Sequence, residues 1–93
     1  MSHVEREVVI VNKYGLHARP AMQFVELANK FACGIEVSKA SLTVDAKSIM
    51  SVMRLAATKG TKLNVVADGD DAAEAIHALA ELIEGGFGEM TPE

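Results

Sequence analysis

Residues 8–28 form the stretch VVIVNKYGLHARPAMQFVELA, in which a strand signal, a loop and a helix signal follow one another. Its first four residues are a continuous β-branched run, which predicts a strand buried on at least one face. From Pro20 onward the apolar residues recur at spacings of three and four, which predicts a helix with one broad face on the core. That face comprises Ala21, Phe24, Val25, Ala28 and Ala32. Gly34 is expected to end the helix.

The middle of the chain predicts two strands and a short helix. Polar and apolar residues alternate over two segments that join near residues 38–41, and the apolar positions are Ile35, Val37, Leu42, Val44 and Ala46. A short helix is predicted to begin at Ser48, which is a suitable N-cap, and to run to about Ala57. Lys59 and Gly60 are expected to close it.

The last third of the chain predicts a fourth strand and a third helix. The strand has one apolar face made of Leu63, Val65 and Ala67. Asp71, with Glu74 three residues later, resembles a capping box with an acidic cap and predicts the helix start. The core face of this helix is expected to contain Ala72, Ala75, Ile76, Leu79 and Ile83, and Gly85 and Gly86 should stop it.

The predicted order of elements is strand, helix, strand, strand, helix, strand, helix. Because hairpin-length connections alternate with longer ones, we expect an α+β fold with a mainly antiparallel sheet and its helices gathered on one face. The order of strands within the sheet does not follow from this pattern. With 93 residues the chain is long enough for one core only, so we expect a single domain over residues 1–93. Its folded core should span about residues 5–86, followed by a flexible tail over residues 87–93.

The composition excludes several classes of function. A formal net charge of −4 gives no basic surface for nucleic acid or anionic lipid. The chain has neither a signal-peptide pattern nor a run of apolar residues that could span a membrane, so we expect a cytoplasmic protein. We also expect a monomer. Cys33 is the only cysteine and is expected to be a buried or turn thiol. His3, in a frayed terminus, and His77, on a polar helix face, should both be solvated, and no metal or cofactor site is expected.

His17 lies where the predicted loop becomes a helix, with Pro20 inside the first turn. Unpaired N–H groups and the helix dipole make such a position an anion site, worth about 0.3 to 1 kcal/mol. The same dipole disfavours an imidazolium, which leaves a nitrogen lone pair available to attack phosphorus. Arg19 offers a planar donor fork for phosphoryl oxygens. From spacing alone, an equal alternative is that His17 merely caps the helix and Arg19 is a solvated charge.

Two segments, Gly-Leu-His-Ala-Arg-Pro-Ala at residues 15–21 and Lys-Ser-Ile-Met at residues 47–50, resemble the two signatures of the HPr family of phosphocarriers. The resemblance extends over residues 8–83. It implies an open-faced β-sandwich, with a four-stranded antiparallel sheet covered on one face by three helices (βαββαβα). It also implies that His17 accepts a phosphoryl group on its δ nitrogen from Enzyme I, that Arg19 contacts that group, and that Enzyme IIA domains receive it.

The short helix is apolar on two adjoining arcs, and a small domain cannot bury both. We expect Val52 and Leu55 to enter the core. The other arc, together with one residue of the first helix, should stay exposed as an adaptable docking patch made of Met22, Ile49, Met50 and Met53. The alternative is that these methionines fill irregular core space.

Ser48 is explained by helix capping alone. The resemblance adds a second role, because the matching serine of many HPr proteins is phosphorylated by a dedicated kinase, and a kinase or phosphorylase would then be a further partner. A phosphate there would place negative charge beside the docking patch and repel partners.

Three other functions are weighed against a sugar-transport phosphocarrier, which we favour. A histidine phosphatase would need more phosphate-binding cations than Arg19. A small-ligand regulatory domain would need a glycine-rich effector loop. A nitrogen-branch regulatory phosphocarrier is indicated by Asn12 and Lys13 and by residues 86–89, whereas residues 47–50 are more similar to the sugar branch.

Overall fold

A computed structural model describes residues 2–89 of the chain. The elements are β1 (His3–Val9), α1 (Ala18–Ala28), β2 (Gly34–Lys39), β3 (Leu42–Asp45), α2 (Ile49–Met53), β4 (Lys62–Asp68) and α3 (Ala72–Glu84), followed by a short 3-10 helix (Gly86–Gly88). The predicted order βαββαβα is therefore confirmed. Within this described part of the chain, no helix has the length and apolar character needed to cross a membrane.

The four strands form one sheet in the order β1-β4-β2-β3, and every neighbouring pair is antiparallel. Helix α3 packs on β1 and β4 and contacts α1, which in turn contacts α2. This arrangement confirms the open-faced sandwich. The core lies between the sheet and the helices, and its largest fully buried side chains include Phe24, Leu55, Leu63, Leu79 and Ile83.

The alternation in β4 and the helical spacing in α3 place their residues as predicted. Leu63, Val65 and Ala67 are buried on one face of β4. The predicted face of α3 is buried throughout, and it comprises Ala72, Ala75, Ile76, Leu79 and Ile83. Because both elements bury one complete apolar face, their register on the core is strongly specified.

The first strand begins earlier than residues 8–11, where it was predicted. It covers His3–Val9 because β4 pairs with its full length, from His3 opposite Asp68 to Val9 opposite Lys62. The prediction that His3 lies in a frayed terminus is wrong, since its ring hydrogen-bonds to Asp68 at 2.6 Å and to Glu5 at 3.1 Å. These two carboxylates raise the pKa of the His3 ring, chiefly through the hydrogen bond to Glu5.

Helices α1 and α2 are shorter than predicted. Helix α1 ends at Ala28, and the Asn29 side chain donates hydrogen bonds to the carbonyls of Val25 and Lys47. Ala32, predicted on the core face of α1, is exposed. Helix α2 stops at Met53, well before Lys59 and Gly60, because the chain tightens into i to i+3 hydrogen bonds and then takes a positive φ of 47° at Ala56, just beyond α2.

Asp71 precedes α3 as predicted but makes no side-chain cap, so the capping-box interpretation is wrong. Its carboxylate instead accepts hydrogen bonds from the backbone N–H groups of Ala32 and Cys33, each at 2.9 Å. The Ala32 N–H is the largest cause of a lowered Asp71 pKa. Asp71 thereby ties the start of α3 to the segment that enters β2, and Cys33 is buried beside it as predicted.

The folded part of the chain extends beyond residue 86. Phe87 is only 3% exposed, and Glu89 contacts residues of the N-terminal half. The prediction that the tail begins at residue 87 is therefore wrong for residues 87–89, because a buried aromatic ring holds them on the domain. The rest of the predicted tail, residues 90–93, lies outside the described residues.

Candidate functional site

The loop that carries His17 is braced by the segment between α2 and β4. The Ile10 carbonyl accepts a hydrogen bond from the Gly60 N–H at 2.8 Å, and the Leu16 N–H donates to the Ala57 carbonyl, also at 2.8 Å. Gly15 lies between these contacts with φ +67°, and a Cβ there would come within 2.4 Å of the Ala57 oxygen. Only glycine fits both the conformation and the space, so this residue sets the approach of the loop to α1.

His17 occupies the N-cap position of α1, with extended backbone (φ −78°, ψ −172°) and no capping hydrogen bond from its side chain. Its carbonyl accepts the helical hydrogen bond from the Ala21 N–H at 2.9 Å. The N–H groups of Ala18 and Arg19 precede the first intrahelical donor, and Pro20 has none to satisfy. The His17 side chain is 40% exposed, so the ring is accessible to another molecule.

The His17 ring contacts the carboxylate of Glu89, and Asn12 contacts the same carboxylate. The sequence indicated both residues only as similarities to the nitrogen branch, without a role at the site. The ring Nε2 lies 3.1 Å from each carboxylate oxygen of Glu89. Asn12, which is fully buried, donates from its Nδ2 to the same carboxylate at 3.0 Å and to the Gly15 carbonyl at 2.8 Å. The hydrogen bond from His17 is the first cause of a lowered Glu89 pKa, and the Asn12 bond acts in the same direction.

His17 and Glu89 border an open cleft of about 320 Å³, which is lined by Lys13, Tyr14, His17, Arg19, Phe87, Gly88 and Glu89. Arg19 is exposed at this cleft. The Tyr14 ring stands edge-on to the His17 ring with centroids 6.3 Å apart, and the Lys13 ammonium lies 5.3 Å from the Tyr14 ring centre. The cleft combines an accessible imidazole with cationic side chains, as binding of a small anion requires.

The described residues contain no group of three or more His, Cys, Asp or Glu side chains arranged to hold a metal ion. His77 lies on the exposed face of α3, as predicted, where it pairs with Glu81 at 3.0 Å.

The predicted docking residues are exposed, and their core-facing neighbours are buried. Met50 is 80% exposed and Met22 is 52% exposed, whereas Val52 and Leu55 are at most 1% exposed. Ile49 and Met53 complete the exposed patch, and a shallow groove beside it is lined by Met22, Val25, Glu26 and Ile49. The alternative that the methionines fill core space is therefore wrong for these three.

Ser48 is the N-cap of α2. Its hydroxyl accepts a hydrogen bond from the Ser51 N–H at 3.3 Å. It directly precedes Ile49 and Met50 in the docking patch, so charge added at Ser48 would lie beside that surface.

The fold and the site define a small α+β domain that presents a histidine at a helix N-terminus to other molecules. The chain belongs to the HPr family, since it matches the family model described as PTS HPr component phosphorylation site over residues 4–85. The resemblance predicted from the two sequence segments is thereby confirmed. Members of this family are phosphocarrier proteins of the phosphotransferase system and not enzymes.

Relatives and solved structures are similar over nearly the whole chain. The phosphocarrier protein HPr of Neisseria meningitidis serogroup A is 45% identical over 86 residues, which cover 92% of this chain and 97% of the relative. The crystal structure of HPr from Thermoanaerobacter tengcongensis superimposes with a TM-score of 0.89 at 48% identity, covering 98% of this chain and 100% of that one. An HPr dimer from the same organism superimposes with a TM-score of 0.75 at 51% identity, with coverages of 88% and 94%.

Proposed function

We propose that His17 accepts a phosphoryl group from Enzyme I and passes it to Enzyme IIA domains of the sugar phosphotransferase system. The observation that carries this proposal is the exposed imidazole at the N-terminus of α1, with Arg19 lining the same cleft. In addition to family membership, this position combines a nucleophile with an anion site, because unpaired first-turn N–H groups are available at the start of α1 and the Arg19 side chain lines the same cleft as His17.

The transfer is a displacement at phosphorus. The lone pair of His17 Nδ1 forms the new N–P bond, and the bond between phosphorus and the donor breaks, with its electron pair returning to the donor. Arg19 and the N–H groups of Ala18 and Arg19 would hold the phosphoryl oxygens. Because an imidazole nitrogen is a good leaving group, the same steps run in reverse towards an Enzyme IIA acceptor.

The docking patch of Met22, Ile49, Met50 and Met53 would contact both the donor and the acceptor. Exposed thioethers adapt to several partner shapes, which suits a carrier that binds two different classes of protein in turn.

Ser48 would be a regulatory phosphorylation site for a serine kinase or phosphorylase. A phosphate at the N-terminus of α2 would be tolerated by the helix dipole, while its charge would lie beside the docking patch. We expect Ser48→Asp to accept phosphate from Enzyme I more slowly than the parent chain, and equal rates would count against regulation at this residue.

The branch of the system, a cytoplasmic location and a monomeric state remain predictions. Sugar transport is favoured over the nitrogen branch by residues 47–50. Reconstitution with the Enzyme I of each branch distinguishes the two, and sedimentation equilibrium of the pure chain tests the monomer.

Incubation with Enzyme I and phosphoenolpyruvate tests the carrier function. We expect stoichiometric, acid-labile phosphate on the parent chain, none on His17→Ala, and movement of the label to an Enzyme IIA domain once Enzyme I is removed. Continuous release of free phosphate would indicate a phosphatase. A chain that takes up no label would leave a ligand-binding domain as the better interpretation.

A further inference from the structure

Glu89 is the only acidic side chain, within residues 2–89, that lines the cleft at His17. A carboxylate repels a phosphoryl dianion, so a carboxylate at this cleft is expected to act on the His17 ring and not on the phosphoryl group. Both of its oxygens lie 3.1 Å from His17 Nε2, and the burial of Phe87 two residues earlier fixes the segment that carries it.

We propose that Glu89 is a positioning residue for phosphoryl transfer, whose carboxylate accepts a hydrogen bond from His17 Nε2–H and leaves Nδ1 as the nucleophilic nitrogen. This inference rests on the proposed function and adds a residue to it. A carboxylate can only accept, so the proton of a neutral ring must lie on Nε2 for the bond to form. Within residues 2–89 the hydrogen bonds of the ring run through Nε2, so the lone pair of Nδ1 remains available.

Asn12 holds Glu89 in this orientation. Its two hydrogen-bond partners are a carbonyl and a carboxylate, which are both acceptors, so the amide NH₂ group must face them. The Gly15 carbonyl anchors Asn12 to the loop that carries His17, and Asn12 in turn anchors Glu89 to that loop. The carboxylate is therefore fixed relative to the ring by a buried side chain.

The carboxylate is also suited to the positive charge that the His17 ring gains during transfer. As the N–P bond forms at Nδ1 of a ring that carries a proton on Nε2, the ring gains positive charge, and Glu89 is placed to stabilise it. The donor keeps the electron pair of the bond that breaks, so the step needs no further reactant. Among residues 2–89, the other charged or titratable groups that line this cleft are Lys13, Tyr14 and Arg19.

Kinetics of the variants Glu89→Gln and Glu89→Ala test the proposal. We expect Glu89→Ala to lower the kcat of phosphorylation by Enzyme I about three- to tenfold with little change in KM, as loss of one partly exposed charged hydrogen bond predicts. Glu89→Gln keeps a hydrogen-bond acceptor without the charge, so its kcat should lie between those of the parent and Glu89→Ala. Glu81→Gln is the matched control, because Glu81 pairs with His77 on the exposed face of α3, and it should behave as the parent. Unchanged or faster transfer in Glu89→Ala overturns the proposal, faster transfer being the sign of a carboxylate that competes with phosphate.

Nitrogen NMR of the unphosphorylated chain gives a readout that does not depend on Enzyme I. At a pH where the ring is neutral, we expect the His17 proton on Nε2 in the parent and a larger share on Nδ1 in Glu89→Ala. A parent ring with its proton on Nδ1, or identical spectra for parent and variant, overturns the proposal even if the variant transfers slowly. If the parent accepts no phosphate at all, the proposed function fails, while these spectra still decide whether Glu89 orients the ring.

Discussion

At the scale of the residue, two interactions would act on a phosphoryl group at His17, and their magnitudes differ. The dipole of α1 contributes about 0.3 to 1 kcal/mol at an exposed helix N-terminus. A charge-assisted hydrogen bond from the Arg19 guanidinium contributes about 1.5 to 3 kcal/mol. The arginine therefore dominates, and the helix position provides the geometry in which ring and guanidinium share one cleft.

Arg19→Ala should slow phosphoryl transfer through His17 by about tenfold to a hundredfold without changing the fold, because the lost interaction is a charge-assisted hydrogen bond. Arg19→Lys should be intermediate, since an ammonium lacks the planar donor fork. Rapid quench-flow with labelled phosphoenolpyruvate and Enzyme I measures the rate of this transfer. Arg6→Ala, which removes an exposed arginine paired with Glu84, is the control and should transfer at the parent rate. Equal rates for Arg19→Ala and the control would remove Arg19 from the site.

At the scale of the element, helix α2 and the turn that follows it have one buried side and one exposed side. One side supplies Val52 and then Leu55 to the core, while the other presents Met50 and its neighbours to solvent. Because Ser48 both caps this helix and adjoins its exposed side, one short element joins a structural cap, a buried anchor and a candidate partner surface.

Met50→Glu and Leu55→Ala should therefore affect different properties: the first should change transfer from Enzyme I, and the second should change the stability of the fold. We expect Met50→Glu to weaken transfer from Enzyme I while leaving the free energy of unfolding within about 0.5 kcal/mol of the parent. Leu55→Ala should lower the free energy of unfolding by about 2 to 5 kcal/mol, because it opens a cavity in the core. Urea denaturation and the KM for the chain with Enzyme I separate the two effects. If Met50→Glu unfolds the domain instead, the docking patch is misassigned.

Asp71 should make stability depend on pH at the junction between α1, β2 and α3. Its pKa is lowered from the ordinary value of 3.8, first by the Ala32 N–H, so its contribution is fully present above that value and is lost as pH falls through the lower folded-state pKa. We expect Asp71→Asn to melt below the parent near neutral pH and the difference to shrink below pH 3.8. Thermal melts across this range provide the measurement, and a difference that stays constant with pH would contradict the role of the charge.

At the scale of the whole molecule, the elements that bury one complete face were predictable and the contacts between distant segments were not. Strand β4 and helix α3 carry their periodicity in consecutive residues, so their core faces could be predicted from local sequence. The first half of β1 has no such pattern, because it is a sheet-edge strand that exists through pairing with β4. The end of α1 likewise depends on Asn29, which bonds to the distant Lys47 carbonyl.

The residues of the site also differ in how far they could be predicted from the sequence. His17 and Arg19 lie in one short segment whose spacing and helix signal could be interpreted locally. Glu89 is 72 residues from His17 in sequence, and no local pattern connects them. Its position depends on Phe87, whereas the glycines around Phe87 predict a tail because they are typical of a chain terminus.

Phe87 should stabilise the whole domain. Since its ring is 3% exposed, Phe87→Ala is expected to lower the free energy of unfolding by about 3 kcal/mol. Tyr14→Ala, which removes an aromatic ring that is 69% exposed, is the matched control and should change stability little. Urea denaturation of both variants makes the comparison, and a Phe87 variant as stable as the parent would return residues 87–89 to a tail.

The proposed function requires that this domain carries a phosphoryl group on one nitrogen of His17. It is tested most directly by phosphorus and nitrogen NMR of the labelled chain after charging with Enzyme I and phosphoenolpyruvate. We predict a one-bond coupling between phosphorus and His17 Nδ1, with the His3 and His77 rings unmodified. Phosphate on another side chain, or on Nε2 of His17, would contradict it.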